Sequence, residues 1–208
     1  MLLLRSPAFL GFALTTAFTS ASWFTFLASA PYLLSEVLHE PPSTYGLMIL
    51  LPMAAYIFGN AGVARLSVAV GSGRLLIIGL TLSLASGVML AVWCLAELTP
   101  SALFVPMAIS SVGNGLSQPP AIAAGLSVHP RIAGAASGLL GFLQMTVAAL
   151  GTLLIGRLPH DSALAMVIVV LASLALALAF GLLALRRPGA APNPARPPRL
   201  RPEIVKRS

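Results

Sequence analysis

Four carboxamide side chains lie inside long apolar stretches of this chain, where a polar group is costly. They are Asn60, Asn114, Gln118 and Gln144. Asn114 and Gln118 are four residues apart and therefore share one face of a helix. An amide donates and accepts hydrogen bonds, so it can hold either a neighbouring helix or a polar ligand. Each amide alone is explained by a bond to a neighbouring helix, whereas the pair Asn114 and Gln118 favours a ligand cavity because it adjoins two prolines.

These two consecutive prolines, Pro119 and Pro120, come directly after the amide pair. Proline has no N–H, so the carbonyls of Gly115 and Leu116 lose their helical partners. Inside a membrane such carbonyls are tolerated where protein or water satisfies them. The sequence therefore predicts a helix that breaks or kinks at these prolines beside a polar cavity.

The first apolar stretch contributes aromatic candidates for the same cavity. Trp23, Phe26 and Tyr32 fall within it, and Pro31 is a further predicted helix break. We predict that the three aromatic side chains line a common cavity with Asn114, Gln118 and Gln144, and Asn60 is a further candidate for the substrate cavity. The alternative is that they face lipid, where aromatic residues are common at the membrane interfaces.

The composition indicates an integral membrane protein. Hydrophobic residues make up 58% and charged residues 8% of the 208 residues, whereas soluble domains contain about 25% charged residues. A helix crosses a bilayer in about 20 apolar residues. We therefore predict an all-α fold, a bundle of six transmembrane helices within residues 1–187. The predicted spans are Ala8–Leu34, Tyr45–Val68, Arg74–Ala96, Ser101–Leu126, Ile132–Ile155 and Ser162–Leu185.

The distribution of charge predicts the orientation. Six arginines share one side of the membrane if the turns alternate, while the other side holds four acidic residues and Arg157 alone among basic residues. Cytoplasmic loops are enriched in basic residues, so we predict that both termini are cytoplasmic. Residues 188–208, rich in Pro and Arg, are predicted to be a disordered cytoplasmic tail. Because the basic residues lie in turns and in this tail, the net charge of +7 indicates contact with membrane lipid rather than with nucleic acid.

The sequence offers no catalytic or metal-binding pattern. No Asp, Glu, Lys or His lies deep in a predicted span, and His39, His129 and His160 all fall in turns. The only cysteine is Cys94, which excludes a disulfide within the chain. We therefore expect no enzymatic activity, no cofactor and no metal, and no proton carrier within this chain.

Small residues mark a packing face on the fifth span. Gly134, Gly138, Gly141 and Gly151 recur at helical spacing, and such stripes allow helix backbones to approach closely. Ordinary packing within the bundle is the alternative to a docking face for another bundle.

Several stretches resemble one transporter family. They are "GLSQPPAIAAGL" (Gly115–Leu126), "AGAASGLLGFLQ" (Ala133–Gln144) and the turn "ARLSVAVGSGRLL" (Ala64–Leu76). In these motifs the chain resembles the C-terminal six-helix half of a major facilitator superfamily transporter of the Bcr/CflA drug-efflux branch. The turn keeps Gly71 and Arg74 as its cytoplasmic loop residues but lacks the acidic residue often found there.

The resemblance implies half of a proton-coupled exporter of amphipathic small molecules in the bacterial inner membrane. Family members have about twelve helices in two halves around a central site, so the partner expected is a missing N-terminal six-helix half or a second copy. We therefore expect the chain to be a truncated form that is inactive alone. Pro119-Pro120 stands where the family often has Pro-Asn. The alternative is the substrate-binding six-helix subunit of an energy-coupling-factor importer, which the aromatic first span disfavours because such a subunit docks through small residues there.

The predicted orientation can be tested by labelling single cysteines after Cys94→Ser. A cysteine at Ser43 should react with an impermeant maleimide added outside intact cells. A cysteine at His129 should react only after the cells are permeabilised. Labelling of His129→Cys in intact cells would reverse the orientation.

Overall fold

We describe a computed structural model of the chain that covers residues 3–157 and 163–186. The described part is built from helices, as predicted. The predicted tail, residues 188–208, and the start of the sixth predicted span at Ser162 lie outside the described residues.

Within these ranges, seven α-helices form six long rods, because the second rod consists of two helices joined at Ile49. The first helix continues past its end as a π-helical turn, Leu33–Val37. The helices begin and end within about one helical turn of the predicted spans. They are α1 (Pro7–Tyr32), α2 (Pro42–Met48), α3 (Leu50–Val70), α4 (Ser72–Ala96), α5 (Pro100–Ser127), α6 (Ala133–Ile155) and α7 (Leu164–Leu185).

Local sequence explains where several helices begin. Ser6 and Thr99 precede a proline at the first position of α1 and α5, and each side chain accepts a hydrogen bond from a backbone N–H of the first turn. This is the usual N-terminal arrangement of a capping hydroxyl followed by proline. Gly71 alone separates α3 from α4 and has φ +87°, a conformation that residues with a Cβ rarely adopt. Arg74 is exposed on the first turn of α4.

Five of the rods in the described residues are long and apolar enough to cross a membrane by length and composition. The exception is α5, which has 28 residues and is therefore long enough, but which contains many polar and small residues. It packs against α1, α3 and α4, and most of its polar positions are enclosed by these helices. Protein rather than lipid surrounds the polar part of α5, so this helix does not need a continuous apolar surface.

The helices differ greatly in how much of their surface the bundle covers. The helix α1 packs against α5, α6 and α7. Of its most apolar 18-residue segment, 61% is buried inside the bundle. The corresponding share is 11% for the rod Pro42–Val70 and 22% for Pro130–Ile155. Two helices, α3 and α6, thus each use one face inside the bundle and leave the other uncovered.

Glycines at two positions allow α5 to fit between α3 and α4. A Cβ atom on Gly115 would lie 2.7 Å from the carbonyl oxygen of Tyr56 and 2.8 Å from the amide nitrogen of Asn60, both on α3. A Cβ atom on Gly113 would lie 2.9 Å from the amide nitrogen of Ser83 on α4. The backbones approach so closely that only glycine fits at these positions.

The break predicted at the prolines is wrong, whereas the kink stays a prediction. Pro119 and Pro120 lie inside α5, which continues to Ser127 and also passes through Pro106. The flanking helices hold α5 in place while each proline removes only one backbone hydrogen bond. Pro31 likewise lies inside α1, and the hydrogen-bonding pattern changes only after it, in the turn Leu33–Val37.

A Gly→Ala substitution should destabilise the protein where a glycine contacts another helix and should have little effect where the glycine lies on an uncovered face. Gly115→Ala should lower the melting temperature in detergent, because overpacking costs about 1–3 kcal/mol when the neighbouring atoms cannot move. Gly138→Ala is the matched control on α6, since no other part of the described chain lies within 4 Å of its Cβ position. Equal melting temperatures for the two variants would contradict the close approach of α3 and α5.

Candidate functional site

A cavity of about 540 Å³ opens among α1, α3, α5 and α6, and we call it the central cavity. Its wall combines polar side chains from α1, α5 and α6 with aromatic and apolar side chains. The lining residues are Ser20, Trp23, Phe24, Pro52, Met53, Tyr56, Ile57, Ser111, Asn114, Gln118, Gln144 and Met145.

The structure brings together four of the seven cavity candidates. Trp23 on α1, Asn114 and Gln118 on α5, and Gln144 on α6 all line the central cavity. Asn114 and Gln118 share a face of α5, as their spacing requires. The bundle places Gln144 opposite that face, a relation between helices that spacing along the chain does not encode.

Three candidates lie elsewhere. Phe26 is fully buried in the core with its ring edge against Phe104, at a centroid distance of 5.3 Å. Phe26 shares the face of α1 that carries Trp23, whose ring centroid is 6.0 Å away, but it packs into the core against α5 and does not line the cavity. Tyr32 is 42% exposed at the end of α1. The Nδ2 atom of Asn60 donates to the carbonyl oxygen of Tyr56 at 3.1 Å, so this amide bonds to its own helix.

Asn114 serves helix packing and the cavity wall together. The hydroxyl of Ser83 on α4 donates to the Oδ1 atom of Asn114 at 3.3 Å and to the carbonyl oxygen of Ser110 at 3.1 Å. This contact lies beside Gly113, where α4 and α5 are closest. The side chain is 4% exposed and still borders the cavity. Asn114 therefore both bonds to a neighbouring helix and lines the cavity, the two roles considered for the amides from the sequence.

Gln118 and Gln144 differ in whether a neighbouring side chain already forms a hydrogen bond with their amide. The Nε2 atom of Gln118 donates to the Oγ1 atom of Thr19 at 3.5 Å, which joins α5 to α1. Thr19 in turn donates to backbone carbonyls of its own helix. Within the described part of the chain, the Gln144 side chain makes no hydrogen bond. The amide of Gln144 is therefore available to a ligand.

Sequence reasoning missed several lining residues. Ser111 precedes Asn114 by three residues and Gln118 by seven, a spacing that could have identified it as part of the same face. Ser20 belongs to a series of hydroxyl residues along α1 that are buried and bond mainly to its backbone. Tyr56, Met53 and Met145 carry no comparable signal, because only the packing of α3 and α6 brings them to the cavity.

No Asp, Glu, Lys, Arg or His is found among the lining residues of the central cavity in the described part of the chain. The wall offers amide and hydroxyl hydrogen bonds together with the faces of Trp23, Phe24 and Tyr56. Such a mixture of apolar surface and a few polar groups is typical of small-molecule binding sites. The arrangement can bind and orient a molecule.

The predicted glycine stripe of α6 divides into two parts. Gly151 packs on α1, where a Cβ atom would lie 3.0 Å from the Oγ1 atom of Thr25 and 3.8 Å from the Cβ atom of Ala21. Gly134, Gly138 and Gly141 have no atom of the described chain within 4 Å of their Cβ positions. Packing within the bundle thus explains Gly151 and leaves the other three on an uncovered face.

Comparisons with known proteins add family information to this geometry. Residues 12–207 match the Major Facilitator Superfamily. The chain is also 26% identical over 167 residues to a bicyclomycin resistance protein homolog of Haemophilus influenzae, a match that covers 78% of this chain and 41% of the relative. The chain thus spans about two fifths of that relative's length. No solved structure matches.

The geometry of the central cavity can be tested with two neighbouring serines on α1, in the Cys94→Ser background. Ser20→Cys should react with a small water-soluble thiol reagent, because Ser20 lines the cavity. Ser22→Cys is the matched control and should stay unreactive, because Ser22 is fully buried outside the cavity. Comparable reaction rates for both cysteines in the folded protein would contradict the described cavity.

Proposed function

The chain belongs to the Major Facilitator Superfamily, and we propose that its bundle is the C-terminal half of an efflux transporter for amphipathic small molecules. The relative's name refers to bicyclomycin resistance, which supports export of drug-like compounds. We further propose that the protein is a transporter and not an enzyme. No feature of the described fold or of the cavity favours the subunit of an energy-coupling-factor importer.

The observation that carries this proposal is the position of the central cavity relative to the uncovered helices. The cavity lies among α1, α3, α5 and α6. Of the five rods that are apolar enough to cross a membrane, the rods that contain α3 and α6 are the least buried. A transporter of this superfamily binds substrate between two bundles near the middle of the membrane. A cavity bordered by two uncovered helices is what one such half presents to the other.

We propose that a second bundle covers these two helices, either an N-terminal six-helix half or a second copy of this chain. On α6 the contact would include the uncovered face around Gly134, Gly138 and Gly141. On α3 it would include Ile57 and Phe58, which are 67% and 73% exposed. Small residues on one helix and large apolar residues on the other are suited to close packing against a further bundle.

Proton coupling is proposed to depend on that partner. An antiporter needs a group that gains and loses a proton within the membrane, and the central cavity has no such group among its described lining residues. The coupling carboxylate would therefore come from the other half. We propose a location in the bacterial inner membrane with both termini in the cytoplasm, as the arginine distribution favours.

Transport by purified protein in liposomes tests this proposal. With a proton gradient, the chain alone should move neither bicyclomycin nor an amphipathic dye, because one bundle cannot alternate access around a shared site. Co-reconstitution with the part of the Haemophilus influenzae relative that this chain does not match should restore gradient-dependent movement. The control is the same pair without a gradient.

Robust gradient-driven movement by the chain alone would overturn the dependence on a second, different half. It would indicate a pair of identical bundles that uses another coupling ion. Absence of movement even with the partner half would contradict the proposed exporter, provided that the two proteins copurify.

A further inference from the structure

Gln144 presents an unused carboxamide to the central cavity. It lines the cavity, and its amide has no hydrogen-bond partner in the described part of the chain. Neither amide atom of Gln144 belongs to the buried side-chain atoms that lack a partner, which in the described residues are the hydroxyls of Thr25 and Ser110. The donor and the acceptor of Gln144 are therefore both accessible and unused.

Across the cavity, Asn114 offers a second partly used amide. Its oxygen accepts the hydrogen bond from Ser83, and within the described chain its NH₂ group has no partner. Gln118 is less available, because its NH₂ group bonds to Thr19. A ligand that contacts α5 and α6 together would thus meet the NH₂ group of Asn114 and both the NH₂ group and the carbonyl oxygen of Gln144.

The charges near the cavity do not favour a cation. The described lining residues contain no carboxylate, and a charge without a counter-ion is expensive to bury. A groove of about 520 Å³ adjoins the cavity, with Phe24 and Met145 in both walls, and the charged residue in its wall is Arg157.

Building on the proposed transport function, we infer that the central cavity selects uncharged ligands carrying amide or hydroxyl groups, and that Gln144 determines this selection. A site that uses unpaired amides discriminates against molecules that lack matching groups, because binding such a molecule leaves these amides without partners. Trp23 and Tyr56 supply apolar faces for the rest of the ligand. This selection of ligands applies to the part of the binding site that this bundle contributes.

Three probes of nearly equal shape test the inference on the purified full chain. Dansyl glycinamide is uncharged, dansyl ethylenediamine carries an ammonium group and dansyl glycine a carboxylate, and the fluorescence of each dansyl group reports binding. The unmodified chain should bind dansyl glycinamide about tenfold more tightly than either charged probe. Gln144→Leu should weaken the binding of dansyl glycinamide by about tenfold, because one hydrogen bond in a desolvated site is lost.

A charge change at Gln144 gives the sharper test. Gln144→Glu keeps the size of the side chain and should improve binding of dansyl ethylenediamine by about tenfold, because a carboxylate supplies the missing counter-charge. Asn60→Asp is the matched control, since it introduces the same charge outside the cavity and should leave the preference unchanged. Melting temperatures of the variants establish that each is folded.

The possible results separate this inference from the proposed function. Equal or tighter binding of either charged probe by the unmodified chain, or an unchanged preference in Gln144→Glu, would overturn the selection by Gln144 and leave the proposed transporter standing. Failure of all three probes to bind would overturn the inference, because the central cavity of this bundle would then not bind such ligands by itself, whereas the liposome experiment with the partner half tests the proposed transport separately.

Discussion

The fold depends on how closely α5 approaches its two neighbours. Gly115 brings the α5 backbone against α3 at Tyr56 and Asn60, and Gly113 brings it against α4 at Ser83. Between these two glycines, Asn114 accepts the Ser83 hydrogen bond and borders the central cavity. The segment "GNG" thus fixes the spacing of three helices and positions an amide at the point where they meet. Any larger residue at either glycine would move the wall of the cavity.

The polar groups of α1 illustrate the same constraint in another form. Its threonines and serines are buried, and most of them donate to carbonyls three or four residues earlier in the helix. A hydroxyl bonded in this way is satisfied without water, which permits a helix of this composition inside a membrane protein. It also leaves Thr19 with an oxygen that accepts the Gln118 bond. The helix at the centre of the bundle can therefore be polar in composition and still pack closely.

Much of the fold was predictable, because apolar length and turn residues determine where membrane helices begin and end. Apolarity alone does not identify α5 as a membrane-spanning rod, since its polar residues face protein. For the site, helical spacing related Asn114 to Gln118, but it could not show which helix faces which. In the structure Gln144 and Trp23 lie beside them in the cavity wall, whereas Phe26, Tyr32 and Asn60 do not line it. Packing against Phe104 determines the position of Phe26.

The helices differ in composition because the bundle covers them to different extents. Neighbouring helices cover most of α1 and hold its hydroxyl residues in a fixed arrangement. The helices α3 and α6 each have an uncovered face, where glycines and large apolar residues have no neighbour in the described bundle. Gln144 lies on such a helix and is a glutamine without a partner beside a cavity of about 540 Å³. An unused amide near apolar surface is unfavourable unless water, a ligand or the proposed second bundle bonds to it, so the position of Gln144 supports the proposal that groups from outside this bundle complete the site.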